Sequence, residues 1–98
     1  MTAYLIVDIE VKDPERYRLY KEQAGRTVRA YGGRYLVRGG PVEVLEGERT
    51  PGRMVVLEFP TLARAREWWS SAHYRPAKEL RQAAAATEMI LVQGVEAE

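Results

Sequence analysis

Three features of the sequence predict an α+β fold of order βαββαβ. Residues 4–11 alternate between apolar and polar side chains with the period of a strand. Lys12-Asp13-Pro14-Glu15 then opens a helix. Two further strand-like runs follow, before a second helical region and a last strand. That order is the ferredoxin-like split βαβ plan, a four-stranded antiparallel sheet with its helices on one face. A chain of 98 residues can enclose only one core, so residues 1–98 are expected to form one domain.

Each element has a local reason. In the first strand Leu5, Val7, Ile9 and Val11 take one face, and Tyr4, Ile6, Asp8 and Glu10 the other. Asp13 reads as the helix N-cap, with Pro14 at the first helical position. Tyr17, Tyr20, Ala24, Val28 and Tyr31 recur at helical spacing and mark the buried stripe, and Gly32-Gly33 ends the helix. Gly25 inside this helix costs roughly 1 kcal/mol relative to Ala, which predicts close packing there. Residues 34–38 form a second strand, interrupted at Gly39-Gly40-Pro41 and expected to resume over 42–45 after a bulge or bend. After a polar turn over 46–52, residues 53–59 form the third strand, and Pro60-Thr61 ends it and caps the next helix. That helix is expected to turn Leu62, Ala65, Trp68, Trp69 and Ala72 inward. Pro76 predicts a break near residues 73–76. A second helical piece over 76–85 and a strand over 87–95 complete the chain.

Composition excludes several functions. Fifteen basic against 14 acidic residues give a net charge of +1, which provides no field for a polyanion, so no nucleic-acid partner is expected. The third strand also carries aliphatics and an acid where an RNA-recognition module needs stacking aromatics. With no cysteine and one histidine, no metal site, haem or other cofactor is expected. The apolar runs fall far short of the ~20 residues a membrane span needs. No signal-like segment opens the chain, so a cytoplasmic protein is expected. Val92-Gln93-Gly94-Val95 shares its letters with the phosphate loop of acylphosphatases, but it lies at the end of the last strand and is read as accidental.

Helices cover one face of such a sheet, and the other face here is not polar. Ile6, Leu36 and Val56 would project from it, with either Ile90 and Val92 or Met89 and Leu91. An open sheet with that much aliphatic surface pairs, so a homodimer through the sheet faces is expected. Strand alternation puts Asp8, Arg38 and Glu58 on this same face, either to bind a polar ligand and move a proton or as ion pairs at an interface. Tyr17, Tyr20, Trp68, Trp69 and Tyr74 either line a flat pocket between helices and sheet or are plain core. Trp68 and Trp69 are adjacent on a helix and point about 100° apart, so they cannot be equally buried. His73, the one imidazole, sits at the helix break as a site or a surface residue. Arg81 reaches either a ligand carboxylate or Glu79 or Glu88, and pairing is the expected outcome.

Four segments carry a resemblance to a known family: residues 32–40 (Gly-Gly-Arg-Tyr-Leu-Val-Arg-Gly-Gly), Glu46-Gly47, Val55-Val56-Leu57-Glu58-Phe59-Pro60, and the run from Ala65 through Trp68 and Ser71 to Tyr74. Together they resemble a bacterial domain family of unknown function in the dimeric α/β-barrel superfamily. The resemblance implies a ferredoxin-like protomer that dimerises through its sheet. Relatives in that superfamily include cofactor-free monooxygenases, haem-degrading enzymes, lactone isomerases and sensory ligand-binding domains. Arg38, Glu46, Glu58, Trp68, Ser71, Tyr74 and Arg81 match the family pattern. Trp69 stands where the family shows Tyr, and Ser71-Ala72-His73-Tyr74 replaces Ser-Pro-Glu-Tyr.

Two readings follow. The first is a small-molecule enzyme, monooxygenase- or isomerase-like, in which Arg38 holds an anionic group and Glu58 or His73 moves a proton. Tyr17, Trp68, Tyr74 and Arg81 then complete the binding pocket. The second is a non-catalytic homodimer that binds a metabolite or serves structure. An enzyme predicts a closed apolar pocket holding a carboxylate, whereas the non-catalytic protein predicts carboxylates taken up by arginines or lying on the dimer seam.

Overall fold

The computed structural model describes residues 1–95. The chain runs β1 (Ala3–Val11), α1 (Pro14–Ala30), β2 (Arg34–Arg38), β3 (Arg53–Phe59), α2 (Leu62–Ser70), α3 (Arg75–Ala84) and β4 (Ala85–Gln93). The four strands lie in the order β2-β3-β1-β4, and every neighbouring pair is antiparallel. This is the ferredoxin-like arrangement, with the second helical unit in two pieces. No described helix is long and apolar enough to cross a membrane.

The alternation of β1 organises the core. Ala3, Leu5, Val7 and Ile9 are buried against the helices, together with Val55, Leu57 and Phe59 of β3. Asp13 caps α1 by accepting from the Arg16 amide at 3.2 Å, and Thr61 caps α2 by accepting from the Arg64 amide at 3.0 Å. Helix α1 ends where Gly32 takes a left-handed φ of 78°, and the Gly32 and Gly33 amides donate to the Arg29 and Val28 carbonyls.

The structure corrects several expectations. Residues 42–45 are not a strand, and Val42, Val44 and Leu45 are exposed. The Gly39 amide donates to the Met54 carbonyl at 2.8 Å, and β3 begins one residue before Met54, so no ladder remains for residues 42–45 to join. The bulge falls earlier than the glycines suggest. Tyr35 opposes Leu57 while Val37 opposes Val56, so Leu36 is the extra residue. Trp69 and Ala72 are exposed, not turned inward, and only Ala65 and Trp68 of α2 are buried. The last strand starts at Ala85 and ends at Gln93, so the alanine run passes directly from helix to strand.

On the open face, Ile90 and Val92 are the exposed pair, while Met89 and Leu91 pack against the core. Ile6 opposes both Val56 and Ile90 across the sheet, and Leu36 and Val37 lie exposed beside them on β2.

At Gly33 an added Cβ would lie 2.7 Å from the Phe59 ring and 2.9 Å from Val28, whereas at Gly40 it would meet nothing within 4 Å. Gly33→Ala is therefore expected to lose about 1–3 kcal/mol by overpacking in urea denaturation. Gly40→Ala is expected to stay within about 0.5 kcal/mol of the parent.

Candidate functional site

The bulge decides which face Arg38 occupies. Arg38 opposes the buried Val55, so it points toward the helices and not to the face of Asp8 and Glu58 as strand alternation had suggested. Its guanidinium stacks over the Tyr35 ring at 4.0 Å and donates to the Lys21 carbonyl of α1 at 3.0 Å. Arg53 of β3 lies alongside, donating to the Arg38 carbonyl at 3.4 Å, with its guanidinium 5.6 Å from the Tyr17 ring. The Arg53 Nε is buried and has no hydrogen-bond partner among the described residues.

These side chains frame a basic groove of about 480 Å³ walled by Arg18, Lys21, Arg29, Arg38 and Arg53. Its one acid, Glu22, pairs with Arg18 at 3.4 Å. Gly25 lies on the wall. A Cβ there would sit 3.5 Å from the Arg29 guanidinium and 3.9 Å from that of Arg38. The glycine thus keeps room beside the guanidinium groups and does not serve the tight packing its position predicted.

Behind the groove, and sharing Lys21, Arg38 and Arg53 with it, lies an interior cavity lined by Tyr17, Tyr20, Tyr35 and Trp68. It measures about 20 Å³, room for one or two waters. The Trp68 indole donates to Thr27 Oγ1 at 2.9 Å, and Thr27 in turn donates to the Ala24 carbonyl at 2.8 Å. Tyr74 stacks on Trp68 with ring centroids 4.0 Å apart. Ser71 Oγ accepts from the Tyr74 amide at 3.0 Å and fixes the turn that carries it. The Tyr74 hydroxyl meets that of Tyr20 at 3.0 Å and accepts from Arg81 Nε at 3.4 Å.

Burial, reinforced by Tyr74 as neighbour and hydrogen-bond partner, pushes the Tyr20 phenol far above its ordinary value. Burial raises Tyr35 as well, against the opposing pull of Arg38. Both phenols are therefore held in the neutral form. Among the described residues no group of three or more His, Asp or Glu side chains could hold a metal.

Of the residues singled out from the sequence, Arg38, Tyr17 and Trp68 line the cavity, and Tyr74 and Arg81 extend it through the tyrosine pair. Glu58 is not among them. It lies on the opposite sheet face, where Arg34 Nε donates to it at 3.1 Å and Arg34 Nη2 at 3.4 Å. Asp8, on that same face, accepts from Arg49 and from the Gly52 amide at 2.9 Å. His73 is exposed in the turn after α2, its ring 6.2 Å from that of Tyr31. The pairing expected of Arg81 does not form, since no carboxylate among the described residues bridges to it. Lys21, Tyr35 and Arg53 were not singled out. Tyr35 could have been paired with Arg38 only by knowing where the bulge falls.

The fold and site define a ferredoxin-like protein with a helix-side pocket. The chain belongs to the family described as Domain of unknown function (DUF1330), whose model matches residues 2–95. Among solved structures it is similar to a protein of unknown function from Rhodopseudomonas palustris, at 19% identity and a TM-score of 0.80, covering 98% of this chain and 84% of that one. It is also similar to a dimeric ferredoxin-like protein of unknown function from Jannaschia sp. CCS1, at 13% identity and a TM-score of 0.66, covering 96% and 100% of the two chains. A third similar structure is SnoaB, a cofactor-independent oxygenase from Streptomyces nogalater, at 13% identity and a TM-score of 0.63, covering 98% and 95%. No curated protein matches the chain.

Folding favours the neutral form of Tyr20 and Tyr35, so the stability they contribute is complete below the ordinary phenol value of 10.0 and falls as pH rises above it. Tyrosinate absorbance across an alkaline titration is expected to show Tyr20 ionising only as the protein unfolds. Tyr20→Phe should flatten the loss of stability with pH.

Proposed function

We propose that the protein is a small-molecule enzyme without a bound cofactor, monooxygenase- or isomerase-like, acting on an organic anion with a flat apolar body. The observation that carries this reading is the continuity of the basic groove with the tyrosine-lined interior through Lys21, Arg38 and Arg53. Arg38 and Arg53 take the anionic group, and Tyr17, Tyr35 and Trp68 enclose the ring. Tyr20, its hydroxyl backed by that of Tyr74, donates to a substrate oxygen that gains negative charge during reaction. Because the interior is nearly filled, substrate enters only when Arg38 and Tyr35 swing aside. Glu58 is on the far side of the sheet, so in this reading the tyrosines, not Glu58 or His73, face the reacting atoms. The likeness to a cofactor-independent oxygenase supports the enzymatic class at the level of fold alone.

One observation favours a non-catalytic, metabolite-binding homodimer: Asp8 and Glu58 are both taken up by arginines. A thermal-shift screen of aromatic carboxylates separates the readings. A ligand at 100 times its dissociation constant adds roughly 2.7 kcal/mol of stability. This gain is expected in the parent and should be lost in Arg38→Ala. Turnover of the bound compound under air or in an isomerisation assay supports the enzyme, binding without turnover supports the alternative, and no hit at all contradicts both.

We further propose that the protein acts in the cytoplasm as a homodimer joined through the open sheet face. Ile90, in line with Ile6 and Val56, is 61% exposed there, and Val92, opposite Tyr4, is 44% exposed. The similar Jannaschia protein is itself described as dimeric. Sedimentation at micromolar concentration should give twice the 11.2 kDa chain mass, and Ile90→Lys should reduce it to one chain without unfolding. A parent protein that sediments as a single chain would remove the proposal.

A further inference from the structure

We propose that a separate groove between α2, α3 and β4 is a second ligand site, for a small monocarboxylate with an apolar body. The groove encloses about 610 Å³, within the range of small-molecule sites. It shares only Met89 with the lining of the tyrosine cavity and is walled by Leu5, Trp69, Met89 and Leu91.

Two polar groups in it are incompletely partnered: among the described residues Arg81 has no counter-charge, and Thr87 Oγ1 has no hydrogen bond. Arg81 is only 5% exposed, and among the described residues its one hydrogen bond runs from Nε to the Tyr74 hydroxyl at 3.4 Å. Thr87 lies opposite Ile9, on the helix side of the sheet, and its Oγ1 is buried with no hydrogen-bond partner among the described residues. A buried guanidinium without a counter-charge is unfavourable, and a buried hydroxyl left unpaired adds to the penalty. No acidic residue lines the groove to relieve either.

A carboxylate satisfies both groups. Its two oxygens match the guanidinium fork, and the threonine hydroxyl supplies a further donor. Arg66, Ser70 and Gln82 also line the groove, but Arg66 is exposed to solvent and Arg81 is the one buried cation, which neutralises a single charge and favours a monocarboxylate over a phosphate dianion. The aliphatic wall and the Trp69 ring then cover the apolar body. The site does not depend on the pocket behind Arg38. It adjoins that pocket, because Arg81 Nε also donates to the Tyr74 hydroxyl, which meets that of Tyr20.

The test uses octanoate, benzoate and inorganic phosphate as probes, with binding followed by calorimetry. Octanoate should bind the parent saturably, at least about tenfold more weakly in Arg81→Met, and measurably more weakly in the near-isosteric Thr87→Val. It should bind Arg38→Ala as it binds the parent. Without ligand, Arg81→Met should melt at or above the parent, because it removes an uncompensated buried charge. The proposal is overturned if octanoate does not saturate the parent, if Arg81→Met binds normally, or if phosphate binds as tightly. It is also overturned if Arg81→Met melts well below the parent, which would make Arg81 a prop for Tyr74. Octanoate binding lost in Arg38→Ala would assign the carboxylate to the aromatic pocket instead.

Discussion

Leu36 and Val37 both stand against Val56, and this two-for-one pairing shapes both faces of the sheet. A regular strand would set Arg38 opposite Met54, on the open face and in the row of Asp8. The extra residue instead sends Arg38 to the helix side, onto Tyr35 and the Lys21 carbonyl, where it forms the mouth of the pocket. The same extra residue leaves two aliphatic side chains exposed on β2 at the open face. One local irregularity thus gives a helix side that attracts anions and an opposite side that is more apolar.

Behind that mouth, the interior is held by directional contacts. Trp68 is tied through its indole N–H to Thr27, stacked on Tyr74 and fully buried. Tyr74 is fixed by the Ser71 turn and by the hydroxyl of Tyr20. These side chains make a rigid back wall. The front differs, since Arg38 is exposed and Tyr35 only partly buried, and both sit on an edge strand followed by a long loop. Opening is therefore assigned to the front, where few contacts must break.

What could be read from the sequence was local. The alternation of β1, the Asp13 and Thr61 caps, the Gly32-Gly33 stop and the break before Pro76 each depend on neighbouring residues, and each is present. What could not be read depended on pairing. Residues 42–45 have strand-like composition but no partner left on β3, and the face of Arg38 turns on a bulge that no residue marks. The site divided in the same way. Helical spacing turned Tyr17, Tyr20 and Trp68 inward, whereas Trp69, grouped with them and with Tyr74, is exposed. Arg53 and Tyr35 join the site only through the sheet register, and Glu58 leaves it for the same reason. Arg81 had acids close in sequence, yet its side chain runs beneath the helices to Tyr74 and out of their reach.

The central claim is that an organic anion enters from the helix side at Arg38. Arginine side-chain N–H resonances, followed by NMR while an aromatic carboxylate is titrated in, test it most directly. The account predicts saturable shifts at Arg38 and Arg53 together with the Tyr35 ring, while Arg34, paired with Glu58 across the sheet, stays fixed. Shifts at Arg34 with Arg38 unmoved would place the ligand on the opposite face and contradict the account.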